Sequence, residues 1–270
     1  MSWFVKGPIH HYARGRNLPA IHGSAQLSPY FRFGTLSART AITTALEALG
    51  KGGHVSKTDV MTWIDELVWR EFSQQVLSAF PHVVDGPFRP AAVPPVREPG
   101  VTRDRLFQAW CDGMTGYPIV DAGMRQLNLT GWMHNRVRMI TASFLVKDLR
   151  IDWRSGERYF MDHLLDADVA ANNGNWQWCA STGTDAMPGY RMFNPALQSR
   201  KFDPEGAYIR NYVPKLATVP IKRIHEPHYM TNDEQDQAGC RIGTDYPAPI
   251  VDHRRAREEY LSLGRQLVAG

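Results

Sequence analysis

The chain has 270 residues and a formal net charge of +4, and its hydrophobic fraction of 43% is enough to bury a substantial core. No apolar stretch is long enough to cross a bilayer and no signal-peptide pattern is present, which argues against a membrane-spanning or secreted protein and predicts a cytoplasmic one. The three cysteines form no C-x-x-C pair, which predicts reduced thiols and argues against a four-thiolate iron–sulfur cluster.

The hydrophobic pattern is helical almost throughout, and no sustained apolar/polar alternation requires a sheet, so the predicted fold class is all-α. Helices are predicted over residues 37–49, from Ser56 to just before Pro81, and over 104–114, 119–129, 132–149, 155–165 and 251–267. Ser56 is placed to cap the second helix, with Asp59 at the capping-box position. Prolines make residues 81–100 a loop, and residues 188–222 are predicted to be loosely structured, with short helical turns at most.

One predicted helix carries an unusual set of side chains within residues 130–161. Asn135, Arg138 and Met139 stand at i, i+3 and i+4, so the helix brings an amide, a guanidinium and a thioether together on one side. Arg136 is predicted to point elsewhere. None of the ten histidines has companions at metal-ligand spacing, so no metal is expected.

A second polar cluster follows within residues 166–178, beside two tryptophans. Asp166, Asp168, Asn172 and Asn173 place two acids and two amides within eight residues. Such a set is awkward for a core helix, because buried polar groups must find partners. The residues alone leave two readings equally open, a solvated turn of helix and a polar binding site.

Together these segments resemble the flavin-binding core of the photolyase and cryptochrome family, and more specifically the photolyases that split cyclobutane pyrimidine dimers in DNA. The resemblance runs from about Ile9 to the C-terminus. It implies a single all-helical domain over residues 1–270 that binds FAD and DNA. Family members usually also carry an N-terminal α/β antenna domain, which is expected to be absent because Met1 opens almost directly onto the flavin domain.

The resemblance implies that the loop of residues 22–28 holds the FAD diphosphate, where backbone N–H groups precede a helix. The cofactor contacts that it assigns here are Tyr12, Ser24, Ala25, Gln26, Leu27 and Ser28. Family members commonly have threonine, serine and arginine at positions 24 to 26, so Ala25 and Gln26 keep neither the hydroxyl nor the charge. We therefore expect backbone contacts to matter more than those side chains. Without the family, a serine before a helix is mostly a plain N-cap.

Around the flavin ring, the resemblance implies contacts from polar side chains. Arg138 is implied to pair with Asp166 beside the isoalloxazine, while Asp168 lies near its polar edge and the ribose. Asn172 matches the position that faces flavin N5 in photolyases, where plant-type cryptochromes have an aspartate. The other implied cofactor-binding residues are Trp63, Arg70 and Asn135.

The resemblance also implies a pocket for a flipped-out pyrimidine dimer, because photolyases reach a base inside a duplex only by extruding it. The residues implied to act on the dimer are Glu66, Asn135, Met139, Trp69 and Trp178. Glu66 shares a helix face with Trp69 and Arg70 and matches the acid that hydrogen-bonds the dimer. Without the resemblance, Glu66 and Arg70 at this spacing are also typical of a surface ion pair, which contributes little to stability. Relatives that repair (6-4) photoproducts have histidines around Asn135 and Met139.

Contacts with DNA are implied for two arginines and two tryptophans, namely Arg70, Arg136, Trp69 and Trp178. The arginines are expected to bind phosphate, which positions the protein without reading sequence. Lys147, Arg150 and Arg154 are further candidates, for which a solvated helix face is an equal alternative.

The resemblance implies a chain of three tryptophans that carries electrons to the flavin. Its first two members match Trp176 and Trp153. The third falls at about Gly100, and no tryptophan lies between Trp69 and Trp110. The usual exit is therefore absent, and the open alternatives for the end of the chain are Trp110, Trp178 and Tyr159.

The implied function is light-driven repair of cyclobutane pyrimidine dimers by electron transfer from excited reduced FAD, carried out by a monomer. One alternative is a cryptochrome-like blue-light photoreceptor without repair activity, against which Asn172 and Met139 argue. The other is a flavin-free helical DNA-binding module, against which the intact segment 166–178 argues.

Overall fold

The computed structural model describes residues 1–50, 55–89, 94–184 and 191–269, and within these ranges the all-α prediction is confirmed. The α-helices are α1 Ser2–Lys6, α2 Tyr12–Gly15, α3 Ser28–Arg32, α4 Ala38–Gly50, α5 Lys57–Ala79, α6 Val101–Cys111, α7 Pro118–Thr130, α8 Asn135–Ser143, α9 Trp153–His163, α10 Val169–Ala180, α11 Pro195–Phe202, α12 Ala207–Tyr212, α13 Ile221–Ile224, α14 Asn232–Ala238 and α15 His253–Ala269. Short 3-10 helices cover Pro8–His11, Pro81–Val84, Pro214–Leu216 and Pro227–Tyr229. Within the described ranges, no helix combines the length and the apolar character that crossing a membrane requires.

The long helix α5 begins where the capping signal predicted. Ser56 Oγ accepts the backbone N–H of Asp59 at 3.4 Å. In a capping box, the Asp59 carboxylate would accept the backbone N–H of Ser56. Here Asp59 Oδ1 instead accepts the backbone N–H of Ala13 at 2.7 Å. That bond ties α5 to α2, and both helices border the functional site.

Helix α8 starts later than predicted and changes its pitch before it ends. Residue 132 does not begin it, because Gly131 takes a left-handed φ of 67° and closes α7. His134 then caps α8, with Nδ1 accepting the backbone N–H of Arg136 at 3.1 Å. After Ser143 the chain continues as the π-helix Phe144–Asp148.

The prediction that residues 188–222 are loosely structured is wrong for the described part, which begins at residue 191. Helices α11 and α12 lie there, and Pro195 stands at the first position of α11, where a proline initiates a helix instead of breaking it. The side chains are core residues: Tyr208, Ile209, Val213, Leu216 and Val219 are almost completely buried. Helix α10 was also not predicted, although Asp168 caps it by accepting the backbone N–H of Ala171 at 3.0 Å.

Two separate hydrophobic clusters form the core. The smaller one is N-terminal and consists of Phe4, Ile9, Tyr12, Ala41, Ala45, Val60, Trp63 and Leu67. The larger one draws its buried side chains from residues 106–246. Helix α5 packs against α2 and α4 of the smaller cluster and against α10 of the larger one. The functional site opens where α5 joins the two.

Candidate cofactor and lesion site

A cavity of about 600 Å³ lies between the two clusters, within the range of roughly 300–1,000 Å³ that is usual for ligand sites. Nearly every site residue named from the sequence lines it: Tyr12, Ser24, Ala25, Gln26, Leu27, Ser28, Trp63, Glu66, Trp69, Arg70, Asn135, Arg136, Arg138, Met139, Asp166, Asp168, Asn172, Trp176 and Trp178. Trp153 lies outside this lining. In the described part of the chain, no three His, Cys, Asp or Glu side chains are grouped so as to hold a metal ion.

The loop of residues 22–28 forms one end of the cavity and is pressed against α2. A side chain on Gly23 would overlap the backbone of Gly15, so this approach requires glycine. Gln26 has a left-handed φ of 50°, and Leu27 after it is right-handed with a φ of −99°. Successive residues of opposite hand turn their N–H groups toward one point, an arrangement that binds anions. This is the backbone geometry that a diphosphate clamp needs.

Arg138 and Asp166 form an ion pair deep in the cavity. Arg138 Nη2 donates to Asp166 Oδ2 at 2.9 Å, and Arg138 Nε donates to the backbone oxygen of Met133 at 2.8 Å. The other carboxylate oxygen, Asp166 Oδ1, is buried and has no hydrogen-bond partner among the described residues. An unpaired buried acceptor costs about 1–3 kcal/mol. The arrangement therefore fits a ligand that brings an N–H or O–H donor to this point, as the edge of a flavin does.

Asp168 is fixed by helix α5 as well as by its role as the cap of α10. Gln74 Nε2 lies 3.0 Å from both carboxylate oxygens, and Arg70 Nη2 lies 3.9 Å from Oδ2. Sequence reasoning missed Gln74. The signal was present, because Gln74 stands four residues after Arg70 and so lies on the same helix face.

Asn172 is oriented by the backbone of the neighbouring helix α9. Its Nδ2 donates to the backbone oxygen of Glu157 at 3.0 Å, which leaves the carbonyl oxygen Oδ1 as the group to accept a hydrogen bond from a ligand. The next residue, Asn173, is buried and donates to Glu157 Oε1 at 2.9 Å, while Gln177 Nε2 donates to Asn173 Oδ1 at 3.0 Å. Burial raises the pKa of Glu157. Glu157 and Gln177 were not found from the sequence.

Glu66 and Trp69 lie on the more open side of the cavity. Glu66 Oε1 pairs with Arg16 Nη2 at 2.6 Å, so its partner comes from the end of α2 and not from a neighbouring turn of α5. Trp69 is 52% exposed, and its ring meets Phe72 edge-on with centroids 5.7 Å apart. Sequence reasoning missed Arg16, because no local spacing links residues 50 positions apart.

The prediction that Arg136 points away from the other three residues is wrong, since it lines the same cavity. Arg136 Nη2 donates to Asn17 Oδ1 at 2.7 Å, and Nη1 lies 3.6 Å from Met139 Sδ. The guanidinium carbon lies 4.5 Å from the ring centroid of Phe202, and burial lowers the pKa of Arg136. These tertiary partners draw the long side chain back toward the cavity.

The three further candidates for phosphate contact have other partners. Lys147 is wrong as a candidate, because the π-helix turns it into the core, where Nζ donates to Ser181 Oγ at 3.2 Å and to the backbone oxygen of Arg191 at 2.7 Å. Burial lowers the pKa of Lys147 to about 8. Arg150 pairs with Glu259 at 3.3 Å, and Arg154 pairs with Asp152 at 2.6 Å.

The comparisons with known proteins agree with this geometry. The family profile described as "FAD binding domain of DNA photolyase" matches residues 63–266. The chain belongs to this photolyase family. The family and fold predicted from the sequence are thereby confirmed, and with them FAD as the cofactor.

Among curated relatives, the family includes the deoxyribodipyrimidine photo-lyases of Vibrio cholerae, 46% identical over 265 residues, and of Escherichia coli, 48% identical over 264 residues. Each alignment covers 96% of this chain and 53% of the relative. The chain therefore spans about half the length of the curated relatives it matches.

Two solved structures show the same fold. A bacterial class III photolyase from Agrobacterium tumefaciens superposes with a TM-score of 0.94 at 42% identity, covering 100% of this chain and 55% of that one. A cryptochrome from Synechocystis gives a TM-score of 0.88 at 35% identity, covering 97% of this chain and 53% of that one. The fold is thus shared by repair enzymes and by cryptochromes.

Proposed function

We propose that this chain acts as the FAD- and DNA-binding part of a deoxyribodipyrimidine photo-lyase, a carbon–carbon lyase that repairs cyclobutane pyrimidine dimers in DNA under light. The observation that carries the proposal is the shared cavity. The Arg138–Asp166 pair and Asn172 line it together with Glu66 and Trp69. One site thus offers polar contacts for a flavin and an acid with an aromatic wall for a damaged base.

Bound reduced FAD supplies the chemistry, which is transfer of an electron to the dimer after absorption of light. The protein residues hold and orient the reactants. The N–H groups of residues 24–28 bind the diphosphate, and Asp166 Oδ1 accepts a hydrogen bond at the flavin edge. Asn172 Oδ1 accepts a second one and, as a neutral amide, neither gives up nor takes a proton. This choice favours a flavin that stays reduced during repair.

On the lesion side, the aromatic walls replace the base stacking that the dimer loses when it leaves the duplex. Trp69 and Trp178 offer stacking faces, each worth about 1–3 kcal/mol per base. Glu66 reaches the same space and supplies a polar contact to the dimer. Because the bases exclude water there, this contact is stronger than it would be in bulk solvent. Arg70 and Arg136 are the proposed phosphate contacts.

We further infer that the protein is a cytoplasmic monomer whose partner is DNA containing pyrimidine dimers. Cys111, Cys179 and Cys240 are all buried free thiols, which suits a reducing compartment. Light scattering of the purified protein tests the monomer directly, and a mass of twice 30.6 kDa would contradict it.

The second candidate function is that of a blue-light photoreceptor, which the close match to a solved cryptochrome supports. The two functions separate in one experiment. Reduced protein and a single-stranded oligonucleotide with one thymine dimer are illuminated with blue light, and intact thymines are measured by chromatography. Repair in light and none in the dark supports the photo-lyase. FAD binding without any repair supports the photoreceptor.

A further inference from the structure

Lys147 connects two stretches of chain that border the cavity, although it lies outside the cavity lining itself. It stands on the π-helix Phe144–Asp148 and is completely buried. Its Nζ donates to Ser181 Oγ at 3.2 Å and to the backbone oxygen of Arg191 at 2.7 Å. Ser181 directly follows α10, and Arg191 precedes α11. One amine thus holds the end of one helix beside the approach to the next.

Stability alone gives no reason for a lysine at this place. Burial lowers the pKa of Lys147 to about 8, so the amine is still mostly protonated at pH 7 and a charge is buried. The ring of Tyr260, whose centroid lies 5.8 Å from Nζ, is a further favourable neighbour. Even so, replacing buried charges by well-packed apolar side chains is often neutral or stabilising. The lysine is therefore better explained by the geometry that it fixes.

Its partner Ser181 stands in a backbone conformation that favours glycine. The residue closes α10 with a left-handed φ of 66°. Helices commonly end in glycine at such a position, because a Cβ makes the left-handed conformation unfavourable. The hydroxyl that glycine lacks is the group that accepts the N–H of Lys147. The serine side chain therefore offsets its backbone strain by making this bond.

The two stretches that Lys147 joins support the cavity wall around Trp178. Gly183 and Thr184, which follow the first stretch, line the cavity together with Trp178. Phe193, which follows the second stretch, is buried, and its ring centroid lies 6.5 Å from that of Trp178. The indole thus packs against residues from the second stretch and shares the cavity wall with residues from the first. A shift of either stretch would change the support of this ring.

We propose that Lys147 is a positioning residue for the lesion pocket, which fixes the stacking face of Trp178 by holding Ser181 and Arg191 together. The proposal rests on the proposed function, in which Trp178 stacks on the flipped dimer. Lys147 acts only through the two stretches. Its loss is expected to impair recognition of the dimer and to spare FAD, whose proposed polar contacts on α8 and at the start of α10 do not depend on these bonds.

The test compares how strongly the full chain with bound FAD prefers damaged DNA. Single-stranded oligonucleotides with and without one thymine dimer are titrated in the dark and followed by fluorescence anisotropy. Lys147→Met keeps a long apolar side chain and removes the donor. We expect the ratio of the two Kd values, undamaged over damaged, to fall about tenfold, as loss of good stacking on one base would produce. A general loss of stability would not change this ratio.

A second variant and a matched control make the result specific. Ser181→Gly suits the left-handed backbone and should fold at least as well as wild type, yet it removes one acceptor of Lys147, so its ratio should also fall. The control is Tyr246→Phe, which removes another buried hydrogen bond, the one to Asp121, away from the cavity lining. We expect it to lower the melting temperature and to leave the ratio unchanged.

A wild-type ratio in either Lys147→Met or Ser181→Gly would overturn the proposal, and so would an equal fall in Tyr246→Phe. Visible absorption of bound FAD checks that each variant is folded, and if Lys147→Met does not hold FAD, Ser181→Gly decides alone. Trp178→Ala separates this proposal from the proposed function. If Trp178→Ala loses the preference for the dimer while the other two variants keep it, only the role of Lys147 is wrong. If Trp178→Ala keeps the preference, the lesion role of Trp178 is wrong as well.

Discussion

The two sides of the cavity are built differently. On the cofactor side, Asp166 and Asp168 accept hydrogen bonds from other helices, Asn172 donates one to the backbone of α9, and Asp166 keeps one buried acceptor without a partner among the described residues. On the lesion side, Trp69 is half exposed, and Glu66 depends on a single ion pair with Arg16. The cofactor side is therefore preorganised, as a permanently bound ligand would require. The greater exposure of the proposed lesion side suits a substrate that binds and leaves, which is the role we propose for it.

The largest effect is expected from Asp166→Ala, which breaks the cofactor side. It leaves Arg138 with its charge partly buried and unpaired and removes the acceptor at the flavin edge. We expect FAD to bind more weakly by about 3 kcal/mol, or roughly a hundredfold in Kd. Titration of the apoprotein with FAD, followed by flavin fluorescence, measures this. The matched control is Asp162→Ala, an exposed acid on α9 outside the cavity lining. Equal Kd values for both variants would show that the Arg138–Asp166 pair does not hold the cofactor.

The next effect concerns acid stability and comes from His134 at the start of α8. Burial and the nearby arginines lower the pKa of His134 to about 4, below its usual value of 6.5. The unfolded chain therefore binds a proton at higher pH than the folded one, so stability is lost as the pH falls from 6.5 toward 4. The loss approaches about 3 kcal/mol at most.

Urea unfolding between pH 7 and pH 4 measures that loss in wild type and in His134→Asn. Asparagine can still cap the helix but does not titrate, so the variant should lose less stability on acidification. The control is His11→Asn, which changes an exposed histidine. Parallel pH curves for wild type and His134→Asn would contradict the assignment of the neutral buried imidazole.

Glu66→Ala tests the lesion side and should spare the cofactor side. We expect FAD to remain bound, while the repair yield per absorbed photon falls about tenfold, because a hydrogen bond that a charged carboxylate accepts is worth about 1.5 kcal/mol or more. Glu66→Gln keeps a polar contact, so its repair yield should lie between those of wild type and Glu66→Ala. Glu71→Ala, five residues later on α5 and exposed, is the matched control. If Glu66→Ala instead releases FAD, the acid belongs to the cofactor side.

The smallest effect is expected for Arg136→Ala. Although Nη2 is bound to Asn17, a guanidinium has five donors and can bind a phosphate at the same time. We expect weaker binding to damaged and undamaged DNA alike, with the slope of log K against log salt reduced by about one. Arg136→Lys keeps the charge and should keep the slope. A change confined to discrimination of the dimer would place Arg136 in the lesion pocket instead.

The sequence predicted those features that depend only on residues close together in the chain. Helix α5 and its Ser56 cap follow from periodicity and from an oxygen placed three residues before an N–H. The shared face of Asn135, Arg138 and Met139 follows from helix geometry. Arg136 was misplaced because its partners, Asn17 and Phe202, are distant in sequence. Arg16 was missed because its partner Glu66 lies 50 positions away and leaves no spacing to read, whereas Gln74 could have been found from its place four residues after Arg70.

The region of residues 188–222 shows the same limit in the fold. It was predicted to be loosely structured, yet Pro195 and Pro214 stand at the first positions of helices, where the missing N–H costs nothing. The burial of Lys147 could not be predicted from local patterns either, since a lysine in an amphipathic helix is normally solvated. The π-helix and two acceptors from the segments after α10 place it in the core instead.

The most direct test of the account is the fluorescence lifetime of the bound reduced FAD with and without damaged DNA. If the cavity holds the flavin beside a flipped dimer, a dimer-containing oligonucleotide will shorten that lifetime by accepting an electron. The same oligonucleotide without the dimer will leave it unchanged. Equal lifetimes with both oligonucleotides, at concentrations where both are bound, would contradict the claim that one cavity serves cofactor and lesion together.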